Sequence, residues 1–143
     1  MSEFATDEGR PLKQLPRAFR LKRQRLIRPL FTKRTPDVGS VARGCVRLVY
    51  RVVTRRESEA DVPILIGFSA GRGESAPRRN RIKRVLKEVY RVHQQALIDL
   101  FCDGDRTLTI MVLYRRPSTG DERCIREDLP EALAALADTF NET

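Results

Sequence analysis

Histidine and cysteine are scarce in this sequence. Its 143 residues include a single histidine, His93, and three cysteines, Cys45, Cys102 and Cys124, none of them in a Cys-x-x-Cys pair. A zinc site of the usual ligand spacing is therefore not expected. We predict no metal held by the protein alone and interpret the three cysteines as ordinary reduced thiols.

Long apolar runs are missing as well. No segment approaches the roughly 20 apolar residues that a membrane-spanning helix needs. The first ten residues are mostly acidic and polar, unlike a signal or transit peptide. We therefore expect a cytoplasmic protein with no membrane partner, folded as a single domain.

Residue patterns typical of a protein active site are also missing. Glu88 lies four residues after Arg84 and three before Arg91, where a helix-surface ion pair is the simpler explanation. His93 falls on the apolar stripe of a predicted helix, which favours a core or boundary position. The Gly71–Gly73 segment lacks the Lys-Ser/Thr of a phosphate-gripping loop. We predict no catalytic residue in the protein.

Positive charge, by contrast, is abundant and unevenly placed. Residues 1–102 carry 23 Lys/Arg and 10 Asp/Glu, a net of +13, whereas residues 103–143 carry 5 and 9, a net of −4. A polarised basic surface attracts polyanions and gains affinity by releasing their condensed counterions. The composition therefore favours RNA or DNA as a partner.

The most basic stretch is periodic. Seven of the fourteen residues from Arg78 to Arg91 are cationic. At 100° per residue, Ile82, Leu86 and Val89 fall on one side of a helix, while most of the cations sweep across the other. The pattern predicts a helix that packs on a core and presents its charge to nucleic acid.

Single residues near this charge have two interpretations each. Asn80 could bond a nucleotide or the backbone at the helix start. Phe31 and Tyr50 could stack single-stranded bases or pack in the core, with neither favoured. For Phe68 core packing is favoured.

The fold class predicted from the pattern is α+β. Helical spacing covers residues 19–33, with Pro29 expected to kink or shorten that helix, and strand spacing covers residues 44–54 and 62–69. The basic helix should run to about Cys102, followed by a strand over residues 107–114 and a closing helix over 119–141. A short strand over 38–42 completes the order α-β-β-β-α-β-α, with a parallel βαβ unit. Residues 1–18 should form a disordered arm.

The motif Arg79-Asn80-Arg81-Ile82-Lys83-Arg84, followed by Lys87-Glu88-Val89-Tyr90-Arg91, resembles the signature of the bacterial ribonuclease P protein component. The resemblance extends over about residues 19–140. It implies a ribonuclease P protein domain over residues 19–143, shaped like the second domain of ribosomal small-subunit protein five. That fold has a left-handed βαβ crossover, against the usual right-handed rule.

The resemblance also implies a function. The family partners a catalytic RNA, the ribonuclease P RNA, that removes the 5′ leader of precursor tRNA with Mg²⁺ held mainly by the RNA. No obligate protein partner is inferred. The residues implied to contact the RNA are Arg72, Arg78, Arg79, Asn80, Arg81, Lys83, Arg84, Lys87 and Arg91. Ile27, Phe31 and Tyr50 are implied to line a cleft for the leader.

Two other functions remain open. One is a general RNA-binding or ribosome-associated module on the same fold. It would have the same basic surface but no role in cleavage. The other is an independent protein nuclease, which ranks far below both the ribonuclease P subunit and the general RNA-binding module.

Overall fold

The computed structural model describes residues 16–32, 37–71, 75–115 and 121–141. A 3-10 turn over Arg17–Phe19 precedes the first helix. The elements that follow are α1 (Gln24–Phe31), β1 (Val38–Arg43), β2 (Val46–Thr54), α2 (Arg55–Ser58), β3 (Ile64–Ser69), α3 (Ala76–His93), α4 (Gln95–Phe101), β4 (Arg106–Tyr114) and α5 (Asp121–Asn141).

The four strands form one mixed sheet in the order β1-β2-β4-β3. β1 and β2 form an antiparallel hairpin, β2 and β4 also pair antiparallel, and β3 pairs parallel with β4. The predicted α+β class and the parallel βαβ unit are confirmed. The handedness of that crossover stays a prediction.

The two faces of the sheet pack against different helices. On one face, the ring of Phe68 in β3 contacts the ring of Tyr90 in α3, with ring centres 5.9 Å apart. On the other, α1 lies against β2 and β4, and its Leu26 lines a cavity together with Leu65 of β3. Residues 65 and 68 are an odd number apart on one strand and so point to opposite faces. The sheet therefore separates α1 from α3.

The core is concentrated on the face that α3, α4 and α5 cover. Its fully buried side chains include Leu48, Ile64, Ile66, Ile82, Leu86, Leu97, Leu108, Ile110 and Ile125. They come from three strands and three helices, so all these elements are held by one apolar cluster.

The predicted helix to Cys102 is wrong in one respect, because it breaks at Gln94 into α3 and α4. On a straight helix at 100° per residue, the buried side chains of Ile98 and Phe101 in α4 would point about 160° and 100° away from Ile82 on the apolar face of α3. The break at Gln94, whose carbonyl accepts from the amides of residues 97 and 98, lets both faces pack. His93, predicted at the core or its boundary, ends α3 and is exposed.

Other boundaries shift for local reasons. α1 is shorter than predicted, and Phe19 lies in the preceding 3-10 turn, fully buried. Most of the arm predicted over residues 1–18 lies outside the described residues. Its last two residues, Arg17 and Ala18, belong to the 3-10 turn. Pro130 does not split the closing helix, which runs unbroken from residue 121 to 141.

Candidate nucleic-acid interface

The basic helix α3 begins where the sequence predicts. Ser75 has an extended backbone, and its hydroxyl oxygen accepts a hydrogen bond from the amide of Arg78 at 3.4 Å. Such a cap satisfies one of the free amides of the first turn, and Pro77 fits there because it has no amide to satisfy. The helix start thus fixes the direction in which the cations leave the fold.

Exposure separates the two sides of α3 as predicted. Ile82, Val85, Leu86 and Val89 are buried, with Leu86 fully so. The basic side is open: Arg79, Asn80, Arg81, Arg84 and Lys87 are exposed, and Arg78, Lys83 and Arg91 are half-buried. Arg72, the remaining predicted contact, lies outside the described residues.

The exposed cations of α3 lack counterions within the described ranges. No described carboxylate pairs with Arg79, Arg81, Lys83, Arg84 or Lys87. Arg78 and Arg91 do make interactions within the fold. Unpaired guanidinium and ammonium groups on one rigid helix are suited to phosphate oxygens, which are bound without reading sequence.

Three arginines elsewhere in the protein pair with carboxylates. Arg23 and Arg25 both pair with Glu59, and Arg51 binds Asp37 at 2.6 Å. The hydrogen bond from Arg23 and the charge of Arg25 hold the pKa of Glu59 below its usual value. These three cations are therefore partly neutralised within the fold, unlike Arg79, Arg81 and Arg84 of α3.

The single acidic residue of α3 has a partner that the sequence did not indicate. Glu88 Oε2 pairs with Nη2 of Arg126 in α5, and the two atoms are 3.5 Å apart. The pair links α3 to α5. Only the packing of α5 on α3 reveals this, since no local spacing connects residues 88 and 126.

The three residues predicted to line a leader cleft are not all together. Ile27 and Phe31 lie on α1, four residues apart and so on neighbouring turns of one side, with Ile27 half-buried and Phe31 52% exposed. Tyr50 pairs in register with Ile110 and lies on the sheet face away from α1. Its ring contacts Phe140 of α5, with ring centres 5.6 Å apart.

The position of Tyr50 depends on the strand pleat. Successive residues of β2 point to opposite faces, so the choice of face depends on a single residue of register. Its ring also covers Gly39 of β1, where an added Cβ would lie 2.4 Å from the ring. Phe68, for which core packing was favoured, packs on buried Tyr90, and that prediction is confirmed.

Taken together, the fold and this surface define a small basic α+β domain with a helix suited to binding polyanions. The protein-family model for Ribonuclease P matches residues 15–136. The chain therefore belongs to the ribonuclease P family, whose members are protein components of a ribonucleoprotein endonuclease that processes tRNA. Membership implies an RNA partner. Neither the curated proteins nor the solved structures include a significant match to this chain.

The helices among the described residues do not meet the requirements for spanning a bilayer. None of them combines the length and the apolar character required to cross one. The cytoplasmic location expected from the sequence stays a prediction.

Proposed function

We propose that this chain binds the ribonuclease P RNA through α3 and the 5′ leader of precursor tRNA through α1, and so assists Mg²⁺-dependent removal of the leader. The observation that carries the proposal is the row of unpaired cations on a helix whose opposite face is locked in the core. Because Leu86 and its apolar neighbours fix the helix, the backbone that carries Arg79, Arg81 and Arg84 is in place before RNA arrives. Binding then orders the arginine side chains but not the backbone, which lowers the entropic cost of binding.

The cationic side of α3 does not fit a Mg²⁺ site. Mg²⁺ takes oxygen ligands, especially carboxylates. Among the described residues on this side, only the amide oxygen of Asn80 is of that kind, and Glu88 is engaged with Arg126. In this proposal phosphates of the RNA bind the metal ions that activate water. The protein cations neutralise the surrounding phosphates, which lowers the Mg²⁺ concentration that the RNA needs.

The leader would bind on the α1 side of the sheet. Phe31 is one of two large apolar side chains that are exposed among the described residues, and aromatic rings stack unpaired bases without strong sequence preference. Ile27 lies one turn earlier and extends the apolar contact. Tyr50 is not part of this surface, because the sheet separates it from α1.

Reconstitution tests the proposal directly. The protein is mixed with a bacterial ribonuclease P RNA and precursor tRNA at a Mg²⁺ concentration where the RNA alone is inactive. We expect rescue of cleavage at the 5′ end of the mature tRNA. RNA binding without rescue would instead favour the general RNA-binding module, and cleavage by the protein without RNA would favour an independent nuclease.

A charge-matched pair of variants locates the interface. Arg81→Ala removes an unpaired cation from α3, whereas Arg56→Ala removes an exposed arginine from α2. α2 follows Thr54, which pairs with Arg106 at the start of β4; α3 follows Ser69, which pairs with Leu113 near its end. The strands that lead into the two helices thus end about 23 Å apart along β4, at opposite ends of the sheet. Only Arg81→Ala should raise the Mg²⁺ requirement.

A further inference from the structure

Two cysteines and one carboxylate meet where the β1–β2 hairpin touches α5. The sulfur atoms of Cys45 and Cys124 and a carboxylate oxygen of Asp128 all lie within 4.8 Å of one another. Cys45 is buried, and the other two are half-buried. Residues 45 and 124 are too far apart in the chain for any spacing motif, which is why the sequence did not reveal the cluster.

The backbone holds the carboxylate in this place. The Cys45 amide donates a hydrogen bond to Asp128 Oδ2 at 2.9 Å, and Cys124 Sγ lies 3.0 Å from the same oxygen. Gly44 has φ +53° in the two-residue turn between the strands, and an added Cβ would lie 2.0 Å from that oxygen. The turn therefore requires glycine both for its backbone and for the close approach of Asp128.

We propose that Cys45, Cys124 and Asp128 form a binding site for a thiophilic divalent cation, with Zn²⁺ as the expected occupant. Thiolate sulfur and carboxylate oxygen are common zinc ligands, and a tetrahedral site with Zn–S bonds of about 2.3 Å places two sulfurs about 3.8 Å apart. The two sulfur atoms already lie within 4.8 Å of each other, so they need to approach by at most about 1 Å to reach that geometry. Cys124 and Asp128, four residues apart on α5, present two ligands from one helix face.

Other features of the cluster fit a cation better than a disulfide. A disulfide would engage only the two sulfur atoms, whereas a cation uses all three groups. The hydrogen bond from the Cys45 amide resembles the outer contacts that orient metal ligands. Because Cys124 and Asp128 are partly exposed, water can supply a fourth ligand. On Zn²⁺ binding both thiols lose their protons, and these pass to solvent.

Zinc binding to the full-length, reduced protein tests the proposal. Equilibrium dialysis followed by metal analysis should show one Zn²⁺ per chain, and Co²⁺ in its place should give sulfur-to-cobalt charge-transfer absorption. Cys124→Ser should lower the affinity by more than the roughly tenfold that loss of an outer contact costs. Cys102→Ser is the matched control, because Cys102 lies outside the cluster, and it should bind as the unchanged protein does.

A second variant covers the possibility that Cys124→Ser disturbs folding. Asp128→Asn keeps an oxygen that can accept from the Cys45 amide but removes the charge of the ligand. Zn²⁺ should raise the melting temperature of the unchanged protein and of Cys102→Ser, but not that of Asp128→Asn. The proposal is overturned if the reduced protein binds no Zn²⁺, if Cys124→Ser or Asp128→Asn binds normally, or if Cys102→Ser loses binding equally.

Discussion

Removing three unpaired cations from α3 should change how RNA binding responds to salt. Arg79, Arg81 and Arg84 are exposed, and none pairs with a described carboxylate. If each contacts one phosphate, replacing all three by alanine should lower the slope of log Kd against log salt by about 2 to 2.7, at about 0.7–0.9 per phosphate. Between 50 and 200 mM salt, binding of the variant should then weaken by a factor about 15 to 40 smaller than that of the unchanged protein.

The measurement is the Kd for ribonuclease P RNA at several salt concentrations, with the thermal melting of each protein recorded alongside. Stability should change by no more than about 0.5 kcal/mol per substitution, because all three side chains are on the surface. Arg56→Ala, on α2, controls for the loss of charge alone. An unchanged slope in the triple variant would refute the assignment of this face to RNA, and a large loss of stability would refute the assignment of these side chains to solvent.

Three further predictions concern α1, the core and the hairpin. If the ring of Phe31 stacks a leader base, Phe31→Ala should weaken binding of precursor tRNA by about 1–3 kcal/mol. Mature tRNA, which lacks a leader, is the control. An equal loss of binding for both RNAs would contradict the assignment. Leu86→Ala should lower the free energy of unfolding, measured with urea, by about 2–5 kcal/mol. Val92 is 44% exposed on the same helix, so Val92→Ala should change it by no more than about 0.5 kcal/mol. Similar costs for the two variants would mean that the faces of α3 are misassigned. Gly44→Ala should lower the free energy of unfolding in urea by about 1–3 kcal/mol, because alanine is strained at a positive φ and its Cβ would clash with Asp128. At Gly104 the nearest atom to an added Cβ is 3.7 Å away, so Gly104→Ala should cost less than half as much.

The local features of α3 could be predicted from the sequence because they depend on neighbouring residues. The Ser75 cap, Pro77 in the first turn, and the separation of apolar Leu86 from basic Arg81 all follow from spacing along one helix. The same reasoning predicted an end near Cys102, which agrees with the end of α4 at Phe101, but it missed the break at Gln94. The break at Gln94 depends on where the core lies relative to α4. The spacing of residues within α3 carries no information on that position.

Contacts between residues that are far apart in the chain could not be predicted from the sequence, because local spacing does not show which elements pack together. The partner of Glu88 was expected on its own helix, but α5 packs alongside and supplies Arg126. Tyr50 was expected beside α1, and the pleat of β2 turned it toward α5 instead.

The sequence by itself determined the chemistry of the protein: a basic helix with one apolar side, a mixed α+β pattern and a motif that identifies the ribonuclease P family. These depend on residue types and short spacings, which survive without knowledge of the fold. Tertiary structure alone decided which cations remain unpaired, which sheet face each aromatic residue occupies, and that Cys45 and Cys124 meet at Asp128. Those outcomes depend on the packing of elements far apart in the chain, and that packing is set by burial of the shared core.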